Sequence, residues 1–262
     1  MKFKSFGERS LPAVVLLHGG GLSWWSWQPV IDALQGEYHI ITPVIDGHGE
    51  DAETPFHSIG ESARKLLAHL DAEHGGRVFA IGGLSVGAQI TVEALAQRPD
   101  LAGKAVIESA LVVPMRWAAA LAVPTYALLY GLIRRRWYAR VQARYLFVPP
   151  EQFELYYRDS SRMTRESLIN LTRSNATYTL NPAIRETTAQ ALILAGEKEP
   201  GAVRRSARML HEAIPDSTLR IIPNSGHGEL SLARPGEYVA LLRSFFAGEP
   251  CSEPTPRNEF PG

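Results

Sequence analysis

The chain has 262 residues, of which 45% are hydrophobic and 21% are charged, close to the average for folded soluble domains. Its 27 basic and 27 acidic side chains cancel, so no overall positive field would attract nucleic acid or an anionic membrane. This balance excludes a general nucleic-acid binder, favours a small-molecule partner and leaves a homodimer open. The length predicts one large domain with an inserted lobe.

Six short apolar runs alternate with helix-like segments along the chain. The runs are AVVLLHG at 13–19, HIITPVIDG at 39–47, RVFAIGG at 77–83, KAVIESA at 104–110, ALILAGE at 191–197 and LRIIPNSGH at 219–227. Such uniformly apolar runs are typical of parallel strands covered on both faces. Their alternation with helical patterns predicts an α/β fold with a doubly wound, mostly parallel sheet.

The alternation is interrupted between residues 111 and 190, where no strand is predicted and aromatic residues and arginine are frequent. This interval is too long for one crossover, which predicts a helical cap at 111–190, inserted between core segments 1–110 and 191–247. Its first part is apolar, but charged residues and prolines disfavour a membrane span. We expect this part to be buried or to form a lid, without stable membrane insertion.

The chain ends in a polar, Pro-rich stretch that predicts a disordered tail over residues 248–262. This stretch contains Cys251, the only cysteine, so no intramolecular disulfide is expected and a reducing compartment is favoured. The first residues lack the apolar run of a signal peptide. We therefore expect a cytoplasmic location.

The stretch GGLSVG at 82–87 lies between a predicted strand and a predicted helix. A turn this tight needs small neighbours, which Gly83 and Gly87 provide, and it holds the Ser85 hydroxyl at a helix N-terminus. There the backbone N–H of Val86 and the helix dipole can stabilise negative charge. The pattern predicts that Ser85 is a nucleophile and Val86 one oxyanion donor.

A second glycine-rich loop, HGGG at 18–21, follows the first strongly apolar strand. Its backbone can approach Ser85 without side-chain obstruction, so we predict Gly20 N–H as the second oxyanion donor. His18 abuts the strand end and is interpreted as a residue that stabilises the loop.

A serine nucleophile needs a general base, which in turn needs a carboxylate to orient it. His227 follows a late strand in a Gly-flanked loop, at the sheet end where ligand sites form, and is the predicted base. His48 is the rival, although its neighbours indicate turn architecture. For the acid, Glu199 is favoured over Glu197, with Glu108 as a third alternative.

Taken together, HGGG, GLSVG, GEKE and SGHGELS resemble the motifs of the α/β-hydrolase fold family, and in particular its cap-bearing esterase and lipase-like members. The resemblance covers about residues 14–246. It differs in having Glu where this branch more often has Asp, in Leu84 before the nucleophile, and in an early hairpin reduced to KFKSF.

The resemblance implies a carboxylic ester hydrolase that uses a Ser85, His227 and Glu199 triad and an acyl-enzyme intermediate, without a metal or organic cofactor. Lactone or thioester hydrolysis by the same triad is an alternative, and so is a slow-turnover small-molecule receptor of the same fold. The expected substrate is a small to medium apolar ester. Candidate pocket residues are Gly21, Leu22, Trp24, Trp117, Tyr126 and Tyr130. The arginines at 134–136 are interpreted as a solvated helix face.

Overall fold

The computed structural model describes residues 1–249 and contains a seven-stranded sheet. The strands are β1 (Lys2–Phe6), β2 (Ala13–Leu17), β3 (His39–Val44), β4 (Val78–Leu84), β5 (Ala102–Glu108), β6 (Gln190–Gly196) and β7 (Ser217–Ile222). The order is β1-β3-β2-β4-β5-β6-β7, and every pair is parallel except the antiparallel pair β1–β3. This confirms the predicted mostly parallel sheet, and KFKSF adds its edge strand.

Helices follow most of the strands. In the described residues they are α1 (Gln28–Leu34), α2 (Ile59–His74), α3 (Val86–Gln97), α4 (Arg116–Ile133), α5 (Arg136–Tyr145), α6 (Phe153–Ser160), α7 (Arg165–Thr177), α8 (Gly201–Ala213), α9 (Glu229–Ala233) and α10 (Pro235–Ala247). Short 3₁₀ turns join several of them. Apart from Gly248 and Glu249, the predicted tail lies outside the described residues, as does Cys251.

The core lies on both faces of the sheet. Along β2, Val14 and Leu16 belong to one buried apolar cluster, whereas Val15 and Leu17 belong to the other. Successive side chains of a strand point to opposite faces, so this division means that helices cover both sides. The uniformly apolar strand sequences follow from that double coverage.

Helices α4 to α7 occupy the interval between β5 and β6, and no strand lies in this part of the described chain. They are fastened to loops that follow other strands. Trp25 Nε1 donates to Asp159 Oδ2 of α6 at 2.8 Å, and Phe56 N donates to Ser167 Oγ of α7 at 3.2 Å. The helical segment therefore contacts the loops after β2 and β3, which emerge from the carboxyl edge of the sheet.

Helix α4 is packed on one side only. Within residues 1–249 it is the one helix long and apolar enough to cross a membrane, and its buried residues are Ala119, Ala122 and Ile133. Trp117, Leu121 and Leu128 are 67%, 52% and 82% exposed. Of the two expectations for this stretch, burial or a lid, burial does not hold for the outer face, and the lid stays a prediction.

Candidate active site

Ser85 occupies the turn between β4 and α3, with φ 56° and ψ −113°. Non-glycine residues rarely adopt this positive φ, so the surrounding packing must hold it. A Cβ on Gly83 would collide with the backbone of Gly87, and one on Gly87 with the Leu17 carbonyl oxygen. The two glycines thus allow the turn to close against the end of β2 and to present the Ser85 hydroxyl.

A chain of hydrogen bonds joins Ser85, His227 and Glu199. His227 Nε2 lies 3.0 Å from Ser85 Oγ, and His227 Nδ1 lies 2.8 Å from Glu199 Oε2. The His227 side chain is 30% exposed, whereas the Glu199 side chain is fully buried. The loop after β7 and the loop after β6 bring these two residues to the end of β4 because the three strands run parallel in one sheet.

Further donors fix the Glu199 carboxylate. Its Oε1 accepts from Gly196 N at 2.8 Å and from Ser109 Oγ at 2.7 Å. Ser109 Oγ in turn accepts from Gly228 N at 3.3 Å, next to His227. Ser109 belongs to none of the motifs named above, although its place at the end of the strand beside β4 is a usable signal.

The other two candidate acids lie elsewhere. Glu197 is exposed, and its Oε2 accepts from Asn224 N at 2.8 Å, which ties two loops together. Glu108 is buried, and its Oε1 accepts from Ser231 N at 3.3 Å. Burial raises the pKa of Glu108 to about 7. Neither carboxylate hydrogen-bonds to His227.

The two predicted oxyanion donors are neighbours. A Cβ on Gly20 would lie 3.7 Å from Val86 Cγ2. In the part of the chain that the structure describes, neither backbone N–H has a protein acceptor. Val86 is the first residue of α3, where N–H groups lack partners within the helix. Both N–H groups therefore have no acceptor within the described protein and can bind one that is added.

His18 and His48 form a buried pair whose ring centroids are 5.2 Å apart. Burial lowers the pKa of His18 to about 3, so its Nε2 accepts from Ile45 N at 3.1 Å in the neutral form. His48 Nδ1 donates to the Asp46 carbonyl oxygen at 3.0 Å. Through these contacts both residues help to join the loops after β2 and β3. Ser85 is hydrogen-bonded to His227 and not to His48, the rival candidate for the base.

The predicted pocket residues divide into three groups. The first group consists of side chains that contact other parts of the protein or solvent. Leu22 is fully buried in the core, Trp24 stacks on Phe6 with ring centroids 5.6 Å apart, and Trp117 lies on the exposed face of α4. Tyr126 and Tyr130 pack on the cluster that contains Val86 and bond to the helical segment through their hydroxyls. Gly21, at φ 77°, has open space where a side chain would be.

Two further apolar side chains contact the loops that carry Gly20 and His227. A Cβ on Gly20 would lie 3.4 Å from Leu171 Cδ2, and one on Gly226 would lie 3.0 Å from Phe147 Cζ. Both side chains come from the helical segment. Leu171 therefore contacts the HGGG loop, and Phe147 contacts the residue that precedes His227.

Among residues 1–249, no group of three or more His, Cys, Asp or Glu side chains is arranged to hold a metal ion. The site described above consists of protein hydroxyl, imidazole, carboxylate and backbone N–H groups.

A model of the alpha/beta hydrolase family matches residues 14–241. The chain belongs to this family. A pimeloyl-[acyl-carrier protein] methyl ester esterase of Aliivibrio salmonicida is 29% identical over 87 residues, and this match spans 33% of the present chain and 31% of the relative. A second such esterase, from Vibrio vulnificus, is 32% identical over 73 residues, 28% of this chain and 29% of the relative.

Solved structures of hydrolases share the fold of this family member over nearly its whole length. The enol-lactonase from Burkholderia xenovorans has a TM-score of 0.77 at 18% identity, covering 95% of this chain and 96% of the other. A thermophilic esterase from Thermogutta terrifontis has a TM-score of 0.76 at 18% identity, covering 94% and 93%. At these identities the likeness concerns the fold alone.

Proposed function

We propose that this alpha/beta hydrolase is a serine hydrolase of carboxylic esters that uses Ser85, His227 and Glu199. The observation that supports it most directly is the unbroken hydrogen-bond chain from Ser85 Oγ through the imidazole to the buried carboxylate. Two named esterases among the relatives, each matched over about a third of its length, support the same reaction class.

In the proposed mechanism, Ser85 Oγ attacks the ester carbonyl carbon while His227 Nε2 takes the hydroxyl proton. The Glu199 carboxylate holds the Nδ1 proton and stabilises the resulting imidazolium. The carbonyl oxygen becomes an oxyanion that the N–H groups of Gly20 and Val86 bind. Collapse of this intermediate expels the alcohol, which receives the proton from Nε2. Water, deprotonated by the same imidazole, then attacks the acyl-enzyme; the bond between the acyl carbon and Ser85 Oγ breaks, Oγ takes the proton back from Nε2, and the acid leaves.

We further propose that residues 111–190 act as a cap that binds the acyl group. Leu171 and Phe147 are the apolar side chains placed beside Gly20 and Gly226, so they replace Leu22, Trp24 and Trp117 as pocket residues. An apolar lining selects an apolar acyl group, because burying it removes hydrocarbon from water.

Hydrolysis of p-nitrophenyl esters from acetate to laurate tests the proposal. We expect Ser85→Ala to lower kcat by at least about 10⁴-fold without unfolding the protein, while Ser5→Ala on the exposed edge strand changes nothing. Turnover of every ester below about one per minute, against about 10 per second for a typical enzyme, would contradict esterase function. A ligand receptor or a lactone substrate would then be tested.

A further inference from the structure

The exposed side of α4 forms a continuous apolar stripe. Trp117, Leu121, Pro124 and Leu128 recur at intervals of four, three and four residues, which places them on one face of the helix. All four are exposed, and Leu128 is 82% so. From Trp117 to Ile133 the helix contains no charged residue. Soluble proteins rarely expose so much contiguous apolar surface without a binding partner.

The opposite side of α4 is attached to the protein. Tyr126 Oη lies 3.1 Å from Thr172 Oγ1 of α7, and Tyr130 Oη donates to the Met163 carbonyl oxygen at 3.0 Å. Ala119 and Ala122 are buried on this side. A membrane-spanning orientation would break these contacts, and the 18 residues would extend only about 27 Å. The geometry therefore favours a helix lying along a surface.

Helix α5 also exposes apolar and aromatic side chains along one face. Trp137, Val141 and Tyr145 recur every four residues and are 59%, 60% and 75% exposed. Tryptophan and tyrosine are enriched at the boundary between lipid tails and headgroups, because their rings have an apolar body and a polar edge. We refer to the exposed residues of α4 and α5, from 116 to 145, as the α4–α5 surface.

The charged residues within this stretch of the sequence are all basic. Residues 109–150 contain six arginines and neither Asp nor Glu, although the whole chain is neutral. Arg136 pairs with Glu154 of α6. Arg116, Arg135 and Arg144 make no ion pair with any described residue. Such arginines beside an apolar face complement anionic headgroups, which lie at the border of the hydrocarbon layer.

We propose that the α4–α5 surface binds reversibly to the surface of an anionic lipid bilayer. The apolar stripe enters the boundary of the acyl chains, and the arginines bind headgroup phosphates. A second copy of the chain fits less well, since a twofold contact would place the two sets of arginines against each other. The proposal gives Arg134 and Arg135 a role beyond that of a solvated helix face, whereas Arg136 is paired with Glu154.

Co-sedimentation with phosphatidylcholine vesicles, with and without phosphatidylglycerol, tests the proposal. We expect the wild-type protein to bind the anionic vesicles. The double variant Leu121→Glu/Leu128→Glu should weaken this binding at least tenfold, which is roughly the effect of keeping one large apolar side chain out of the lipid. Met209→Glu, at an exposed apolar position on α8, is the matched control. Loss of binding in this control as well would overturn the assignment to α4.

Charge reversal tests the contribution of the arginines to vesicle binding. Arg135→Glu/Arg144→Glu should weaken binding to phosphatidylglycerol vesicles about tenfold or more, whereas Arg205→Glu/Arg208→Glu on α8 should not. Wild-type protein that stays in the supernatant with anionic vesicles overturns the proposal. A wild-type dimer that Leu121→Glu/Leu128→Glu converts to monomer, without vesicle binding, would identify a self-association surface instead.

Fluorescence of the wild-type protein gives a measurement that does not depend on the folding of acidic variants. Vesicles containing brominated lipid should quench Trp117 and Trp137, and the quenching should disappear in Trp117→Phe/Trp137→Phe. Unquenched wild-type fluorescence would contradict insertion of the apolar stripe. Ser85→Ala should bind vesicles like the wild type, so the binding result stands or falls separately from the proposed hydrolase activity.

Discussion

Replacing Glu199 by glutamine tests the proposed role of its carboxylate, because the two side chains have almost the same shape. The carboxylate accepts three hydrogen bonds, from Gly196 N, Ser109 Oγ and His227 Nδ1. Glutamine has one carbonyl oxygen and one amide nitrogen, so only one side of it can still accept. If the nitrogen faces His227, the imidazole must carry its proton on Nε2, where it cannot accept the Ser85 proton.

If the oxygen faces His227 instead, the amide nitrogen faces Gly196 N–H, and two buried donors meet without an acceptor. That arrangement costs about 1–3 kcal/mol of folding free energy, and it also removes the negative charge that stabilises the imidazolium. We therefore expect kcat of Glu199→Gln to fall about 10³- to 10⁴-fold, which corresponds to roughly 4–5 kcal/mol in activation free energy.

The assay is hydrolysis of the best p-nitrophenyl ester, with urea unfolding of the same samples. Glu197→Gln is the matched control, because Glu197 is exposed and only accepts from Asn224 N. We expect this variant to keep kcat within about threefold and to lose less than about 1 kcal/mol of stability. A larger loss of kcat in Glu197→Gln than in Glu199→Gln would refute the assignment of the acid.

Two further predictions concern the fold around the site. In urea unfolding, Gly83→Ala should lower the free energy of unfolding by about 3 kcal/mol or more, since its Cβ would meet the Gly87 backbone. Gly103→Ala is the control, because its Cβ would lie 3.5 Å from the nearest neighbouring atom, and it should change this free energy by less than about 1 kcal/mol. Burial raises the pKa of Glu108 to about 7, so the folded state keeps a proton that the unfolded state has lost, and stability falls as pH rises. Between about pH 5 and about pH 8 the wild type should lose about 2 kcal/mol relative to Glu108→Gln, and equal pH profiles would contradict this.

The strands and the order of the site loops could be predicted because each depends on local sequence. Six apolar runs marked six strands, and Gly-flanked Ser85 and His227 each followed one of them. The acid was harder to assign, because Glu197 and Glu199 follow the same strand two residues apart. Only the direction of the turn after β6 separates them, and that direction depends on contacts with Ser109 and the β7 loop.

The sequence could not rank the candidate pocket residues, because aromatic composition does not reveal which side of a helix is packed. Trp117 and Tyr126 lie on one helix, yet Trp117 is 67% exposed while Tyr126 packs on the core and contacts Thr172. Conversely, Leu171 and Phe147 carry no motif, and their place beside Gly20 and Gly226 follows from tertiary packing.

The apolar sequence of α4 illustrates the same difficulty and connects the two proposals. A helix that is apolar on all sides is normally buried, but α4 has α7 on one side and no described element covering its outer stripe. The Tyr126–Thr172 contact places α4 against α7, and α7 places Leu171 beside Gly20. A bilayer bound to the apolar stripe would therefore lie only the thickness of these two helices away from the proposed acyl site. Apolar esters dissolved in the bilayer would be concentrated close to Ser85, so anionic vesicles should lower the KM for long-chain esters and leave that for acetate unchanged.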